Sequence, residues 1–196
     1  MVFFSDAVYA IILTILVLDI RTPEMANGGS MEDMMKMFHS LIPHIFGFLF
    51  CFFAIAQSWL AHNAFFSIVS KYSHTLGFFN LLLLLPGCLF PFAAMLIGNY
   101  PQNPFSVALF GALYFFSAVV TVFMSRYLWK NKMMNPSIDA KTYQEKVMRG
   151  SYFGPFIILA IIGVAFINVV LSFILFSLLI AFWMFLINQM KLVKED

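Results

Sequence analysis

The sequence predicts an all-α, polytopic membrane protein with six transmembrane helices, and three observations carry that expectation. Of its 196 residues, 62% are hydrophobic and only 10% charged, with a mean hydropathy of +0.92. A soluble domain carries about 25% charged and about 45–50% apolar residues, so a water-facing surface cannot be built from this composition and lipid is the solvent for most of the chain. Second, six apolar runs approach the roughly 20 residues that a spanning helix needs, at 3–20, 41–62, 75–97, 105–129, 152–168 and 170–190. Third, six spans place Lys71, Arg126, Lys130, Lys132, Lys141, Lys146, Arg149, Lys191 and Lys194 on one side, against Arg21 and Lys36 on the other. An excess of Lys and Arg marks the cytoplasmic side, so both termini are expected there.

Taken in order, the first run lacks a basic leader, carries Ser5-Asp6 near its start and continues into Asp19-Ile20-Arg21-Thr22-Pro23 without a small-residue cleavage site. It reads as a retained helix and not a secretory signal. Asn27-Gly28-Gly29-Ser30 is a turn, and Met31 to Lys36 a short helix capped by Ser30. Pro43, Pro86, Pro91 and Pro155 fall in or near spans, where neighbouring helices re-satisfy the freed carbonyls. The fourth span leads into a basic loop in which Lys141 to Arg149 is expected to be helical. The last two runs are separated only around Asn168 and together exceed one span, so a tight turn is expected at Ile167-Asn168. The whole chain, 1–196, reads as a single transmembrane domain with no soluble domain and no internal repeat.

Chemistry is sparse along these spans. Cys51 and Cys88 lie in apolar runs and read as small hydrophobes, without a disulfide framework or metal set. His39 and His44 are five apart, off a common helical face, and His74 stands beside Lys71 and Tyr72, so all three read as interfacial, with no metal site. There is no Ser-His-Asp set, phosphate loop or nucleic-acid patch, so neither an enzyme, a cofactor nor a nucleic-acid partner is expected. Asp6 is the most informative residue, because a carboxylate in an apolar helix pairs or marks an ion path. At 100° per residue, Ala7, Ile11, Thr14 and Leu18 form one stripe flanked by Ile15, whereas Asp6 points elsewhere, beside Ala10, Leu13 and Val17. Periodicity leaves two readings open: ordinary packing with Asp6 at a helix start, favoured by the dipole, or a functional face.

The run Phe4-Ser5-Asp6-Ala7-Val8-Tyr9-Ala10-Ile11-Ile12-Leu13-Thr14-Ile15-Leu16-Val17-Leu18 resembles the signature first helix of the transmembrane protein 175 family of lysosomal potassium channels, in its bacterial form. The family's Arg-x-x-x-Phe-Ser-Asp pattern would put its Arg one position before Met1. Trp59-Leu60-Ala61-His62-Asn63, the Asn80 to Leu85 run and Pro91-Phe92 extend the likeness through the third span; the later spans agree in number and hydrophobicity. The resemblance implies a homotetramer in a bacterial plasma membrane, conducting monovalent cations through a central pore lined by four first helices. It implies that Ile11 forms the narrowest ring, a hydrophobic gate, with Thr14, Ile15 and Leu18 at the next levels and permeant potassium near Ile11 and Thr14. It further implies a polar network of Ser5, Asp6, Trp59, His62 and Asn80, with His62 and the family Arg as partners of Asp6. A proton-coupled carrier using Asp6 and His62, a membrane enzyme and a scaffold are the competing readings. The carrier would call for broken helices and repeat symmetry, and the enzyme for a nucleophile or metal set.

Overall fold

A computed structural model describes residues 2–21, 30–137 and 148–189, and the regular elements among them are helical. They are α1 (Val2–Ile15), continued by a single 3-10 turn at Leu16–Asp19, then α2 (Met31–Ser67), α3 (His74–Asn99), α4 (Pro104–Lys130), α5 (Arg149–Ala165) and α6 (Val169–Gln189). The six expected helices are all present. The Asn27 to Gly29 turn, Lys141 to Val147, Lys191 and Lys194 lie outside the described residues, and Met148 and Arg149 lead into α5.

Two elements differ from the expectation. The short helix after Ser30 and the second span are one element of 37 residues that runs through Pro43. At 1.5 Å per residue it is about 55 Å long, well beyond the roughly 30 Å hydrocarbon core. The exposed residues Met31, Met34, Met35 and Phe38 lie on the projecting turns. Its start is fixed by a reciprocal cap: the Asp33 amide donates to Ser30 Oγ (3.2 Å), and Asp33 Oδ2 accepts from the Ser30 hydroxyl (2.7 Å) and backbone N–H (3.1 Å). The hydroxyl chiefly, and the backbone N–H with it, hold the Asp33 carboxyl below the usual carboxylate range. Its contribution to the cap is therefore present above the unfolded-chain value and fades as pH falls through the lowered folded one.

The second difference lies in α1, which tightens from α to 3-10 geometry at Leu16. A 3-10 turn advances 120° per residue instead of 100°. Leu18 is thereby rotated about 60° from where a continued α-helix would carry it.

The other boundaries follow local chemistry. Ser73 Oγ caps α3 by accepting from the Leu76 amide at 3.2 Å, and Asn103 Oδ1 caps α4 by accepting from the Phe105 amide at 2.9 Å. The expected turn between the last two helices is present: Phe166 and Ile167 are exposed, and Asn168 Oδ1 accepts from the Leu171 amide at 3.0 Å to start α6.

Helices α2 to α6 close a bundle, each packing on the next and α6 returning to α2, while α1 docks on α2 and α3. Aromatic rings fill the centre: Phe110 stands 4.5 Å from Phe50 and 5.3 Å from Phe176, and Phe50 stands 5.1 Å from Phe173, centroid to centroid. Where no hydrophobic effect drives helices together, small residues allow close backbone approach. Gly47 of α2 illustrates this, because a Cβ there would lie 2.8 Å from the Ala94 carbonyl oxygen and 3.3 Å from the Gly98 nitrogen of α3. Neither backbone atom can move aside cheaply.

Gly47→Ala should therefore lower stability by about 1–3 kcal/mol through overpacking. Gly163→Ala, whose Cβ meets nothing within 4 Å, should be neutral or gain up to about 1 kcal/mol from helix propensity. Thermal melts of the two detergent-purified variants check this; equal melting temperatures would refute the close-approach argument.

Candidate functional site

The first helix has two opposed faces. Ser5, Tyr9, Ile12 and Leu16 are each at most 2% exposed and recur at spacings of four, three and four, which keeps them on one side of a helix. That side packs on α2 and α3. Ala7, Ile11, Thr14 and Ile15 are exposed on the other side, Ile11 at 58%. Leu18 is 67% exposed on the 3-10 turn. The Thr14 hydroxyl donates to the Ile11 carbonyl at 2.8 Å, so its hydrogen is engaged within the helix while its oxygen keeps its capacity to accept.

The adjacent pair Ser5-Asp6 holds the helix by reaching two different partners. Asp6, half-buried, accepts from Trp59 Nε1 of α2 at 2.9 Å. Ser5 turns inward to Asn80 of α3, whose Nδ2 donates to Ser5 Oγ at 2.9 Å. Asn80 Oδ1 lies 2.7 Å from His62 Nε2. An amide oxygen only accepts, so Nε2 carries the proton, and in a neutral ring Nδ1 is then a bare acceptor. One turn after Ser5, the ring of Tyr9 meets His62 edge-on at 5.6 Å, and Phe66 closes the other side at 4.6 Å. His62 and Trp59 sit three residues apart on α2, so one turn of that helix serves both halves of the arrangement.

All five expected network residues thus lie together, but in two branches. The hydrogen bond to Asp6 comes from Trp59, whereas His62 bonds Asn80, because Ser5 and Asp6 project about 100° apart and only the Ser5 side faces the buried imidazole. Among the described residues no group of three or more His, Cys, Asp or Glu is placed to hold a metal. The ion pair Lys36–Glu32 lies away from the site on the exposed start of α2. His44 Nε2 pairs with Asn99 Oδ1 at 3.1 Å at the opposite end of the bundle.

One buried polar pair escaped sequence reasoning: the Tyr114 hydroxyl donates to Gln57 Oε1 at 2.6 Å, joining α4 to α2. The available signal was a glutamine inside an apolar run, which requires a partner wherever it is buried.

The family described as "Endosomal/lysosomal potassium channel TMEM175" matches residues 1–91. A potassium channel of Chamaesiphon minutus is 31% identical over 185 residues, covering 86% of this chain and 84% of that protein. The mouse endosomal/lysosomal proton channel TMEM175 is 25% identical over 143 residues, covering 72% of this chain and 28% of that protein. The crystal structure of a lysosomal potassium-selective channel TMEM175 homolog from Chamaesiphon minutus superposes with a TM-score of 0.80 at 25% identity, covering 95% of this chain and 96% of that one.

Asn80→Leu removes the acceptor of His62 Nε2 and leaves a buried donor unmet, which should cost about 1–3 kcal/mol. Trp59→Phe, at the half-exposed Asp6 branch, should cost less. Melting of purified variants checks the order, and an Asn80→Leu protein as stable as the parent would sink the buried-branch assignment.

Proposed function

The chain belongs to the TMEM175 family and is a potassium channel of that family; on that premise we propose that it works as a homotetramer whose four first helices surround the ion path. The observation that carries this reading is the exposed side of α1. Ala7, Ile11, Thr14 and Ile15 face away from the protomer while the opposite side is locked down by the Ser5-Asn80-His62 and Asp6-Trp59 bonds. Four-fold rotation makes each such residue a ring.

In this reading Ile11 is the narrowest ring. Its branched side chain offers no ligand to a cation, so the barrier is the hydration an ion must shed, and a narrow apolar ring also gates by dewetting. One turn further, the exposed Thr14 presents a hydroxyl oxygen whose hydrogen is already given to the Ile11 carbonyl, and the ring of such oxygens receives a partly stripped potassium ion. Ile15 flanks the ring. Leu18, rotated by the 3-10 turn, widens the mouth instead of continuing the constriction. Ser5, Asp6, Trp59, His62 and Asn80 hold the helix and do not line the path. Discrimination between potassium and sodium is modest, because no carbonyl cage replaces the hydration shell.

The cofactor complement is none beyond permeant potassium, and the chain performs no catalysis. Among the described residues Lys71, Arg126, Lys130 and Lys132 lie near the ends of α2 and α4, opposite Arg21 and Lys36, and this excess supports cytoplasmic termini. The likeness to a bacterial relative over most of its length supports a bacterial plasma membrane.

Native mass spectrometry of the conducting species should give four copies; a conducting monomer or dimer would contradict the assembly. Ile11→Asn should raise unitary conductance and bring the potassium/sodium permeability ratio toward one. Ile12→Val, on the buried side, should leave both unchanged. Permeation controlled by Ile12 instead of Ile11 would place the ion path on the wrong side of α1.

A further inference from the structure

The outermost part of α2 runs past the surface of its own protomer. His44 Nε2 pairs with Asn99 Oδ1 at 3.1 Å, at the last residue of α3, and Leu41 is the first buried residue of α2. From Met31 to Ser40 every residue is exposed except the half-buried Met37. Those ten residues extend about 15 Å beyond the level at which α3 turns back into α4. Asn99, Gln102 and Asn103 put that level at the polar edge of the membrane. The headgroup layer outside the hydrocarbon is about 5–8 Å deep on each side, so the segment passes through it into water.

This projecting segment is amphipathic. At 100° per residue, Met31, Met34, Met35 and Phe38 fall on one side, exposed by 42–78%. Glu32, Asp33, Lys36, His39 and Ser40 fall on the other, where Lys36 and Glu32 pair at 2.7 Å. An apolar stripe of this width is what a helix turns to a core, yet among the described residues the protomer supplies no core there. The Ser30–Asp33 cap fixes the start of the segment, but so short a helix is marginal in water by itself. The same side continues inward through Ile42, Leu49 and Phe53, each exposed by 45–56%, where lipid is a sufficient neighbour. Beyond the bundle no lipid reaches it.

We propose that the projecting segment is a subunit contact made in water. Each copy lays Met31, Met34, Met35 and Phe38 against a neighbouring copy of this chain, forming a collar on the side of the membrane opposite the basic loops. The contact rests on the four-copy reading. α2 packs directly on α1, so four α1 helices around one axis bring four projecting segments to one level at its outer mouth, held at high effective concentration. A second copy is therefore the apolar surface nearest at hand, and a cyclic assembly repeats the contact at each of its boundaries. The collar also supplies a driving force that the spans lack. Between spans, lipid competes equally for apolar side chains, whereas in water each buried Met or Phe favours assembly through the hydrophobic effect.

The test uses the full chain with Cys51 and Cys88 replaced, purified as the tetramer in detergent, and a water-soluble maleimide. Met35→Cys should be protected in the tetramer and react freely once the copies are dissociated, whereas His39→Cys on the polar side should react equally in both. Shielding by the micelle would persist in the monomer and so cannot produce that difference. Met35→Ser combined with Phe38→Ser should raise the protein concentration at which half the tetramer dissociates by at least about a hundredfold, through the loss of two buried apolar side chains. Glu32→Gln with Lys36→Gln should leave that concentration unchanged. If the double serine variant fails to fold, the two cysteine variants decide. Equal labelling of Met35→Cys and His39→Cys in an intact tetramer, or a double serine variant that dissociates at the parental concentration, would overturn the contact and leave the four-copy assembly standing. A parent protein that is not a tetramer would remove both.

Discussion

The arrangement depends on one constraint: a serine and a carboxylate at the start of an apolar helix must both find partners away from water. Adjacent residues on a helix point about 100° apart, so Ser5 and Asp6 cannot be satisfied by the same group. Ser5 reaches Asn80 on α3 and Asp6 reaches Trp59 on α2. Two bonds in different directions fix the rotation of α1 about its axis as well as its position. Apolar packing alone would fix neither well, because lipid is as good a neighbour as protein for an isoleucine. Once rotation is fixed, the side carrying Ala7, Ile11, Thr14 and Ile15 faces away from its own protomer.

The same logic explains the rest of the bundle. A helix that buries glycines, such as Gly47 against Ala94 and Gly98, gains contact by closeness of backbone. Helices that bury phenylalanine, as around Phe50, Phe110 and Phe176, gain it by ring area. Together these leave the outward surfaces free to be apolar, which in water would be a liability and in lipid is a requirement.

Much of this was legible in the residues. Hydropathy located six helices because lipid imposes a length and a composition on each. Ser30 announced the start of α2, and Asn168 the break between α5 and α6, through side chains that satisfy backbone amides. What local pattern did not reveal was continuity between the short helix ending near Lys36 and the span beginning at Leu41, which are one helix from Met31 to Ser67. Nor did it reveal the tightening of α1 at Leu16, which rotates Leu18 relative to Thr14 without any Gly or Pro to signal it. The five residues of the polar network came as a group only from the resemblance to the family's motifs, and their pairing did not come with it. Which of Trp59 and His62 meets Asp6 is set by how α2 is rotated against α1, and a linear sequence carries no such angle. Gln57 with Tyr114 shows the same limit: each residue's need for a partner is readable, the identity of that partner is not.

If α1 turns one side to ions and the other to its own protomer, its two sides must differ in access to water, and substituted-cysteine accessibility along the helix reads that difference. In a background with Cys51 and Cys88 replaced, single cysteines at residues 5 through 16 would be exposed to a water-soluble, membrane-impermeant thiol reagent while potassium current is recorded. Block is expected at Ala7, Ile11 and Thr14, with Ser5, Tyr9, Ile12 and Leu16 protected, a rhythm of four and three residues. Block at Tyr9 and Ile12 with Ala7, Ile11 and Thr14 silent would contradict it.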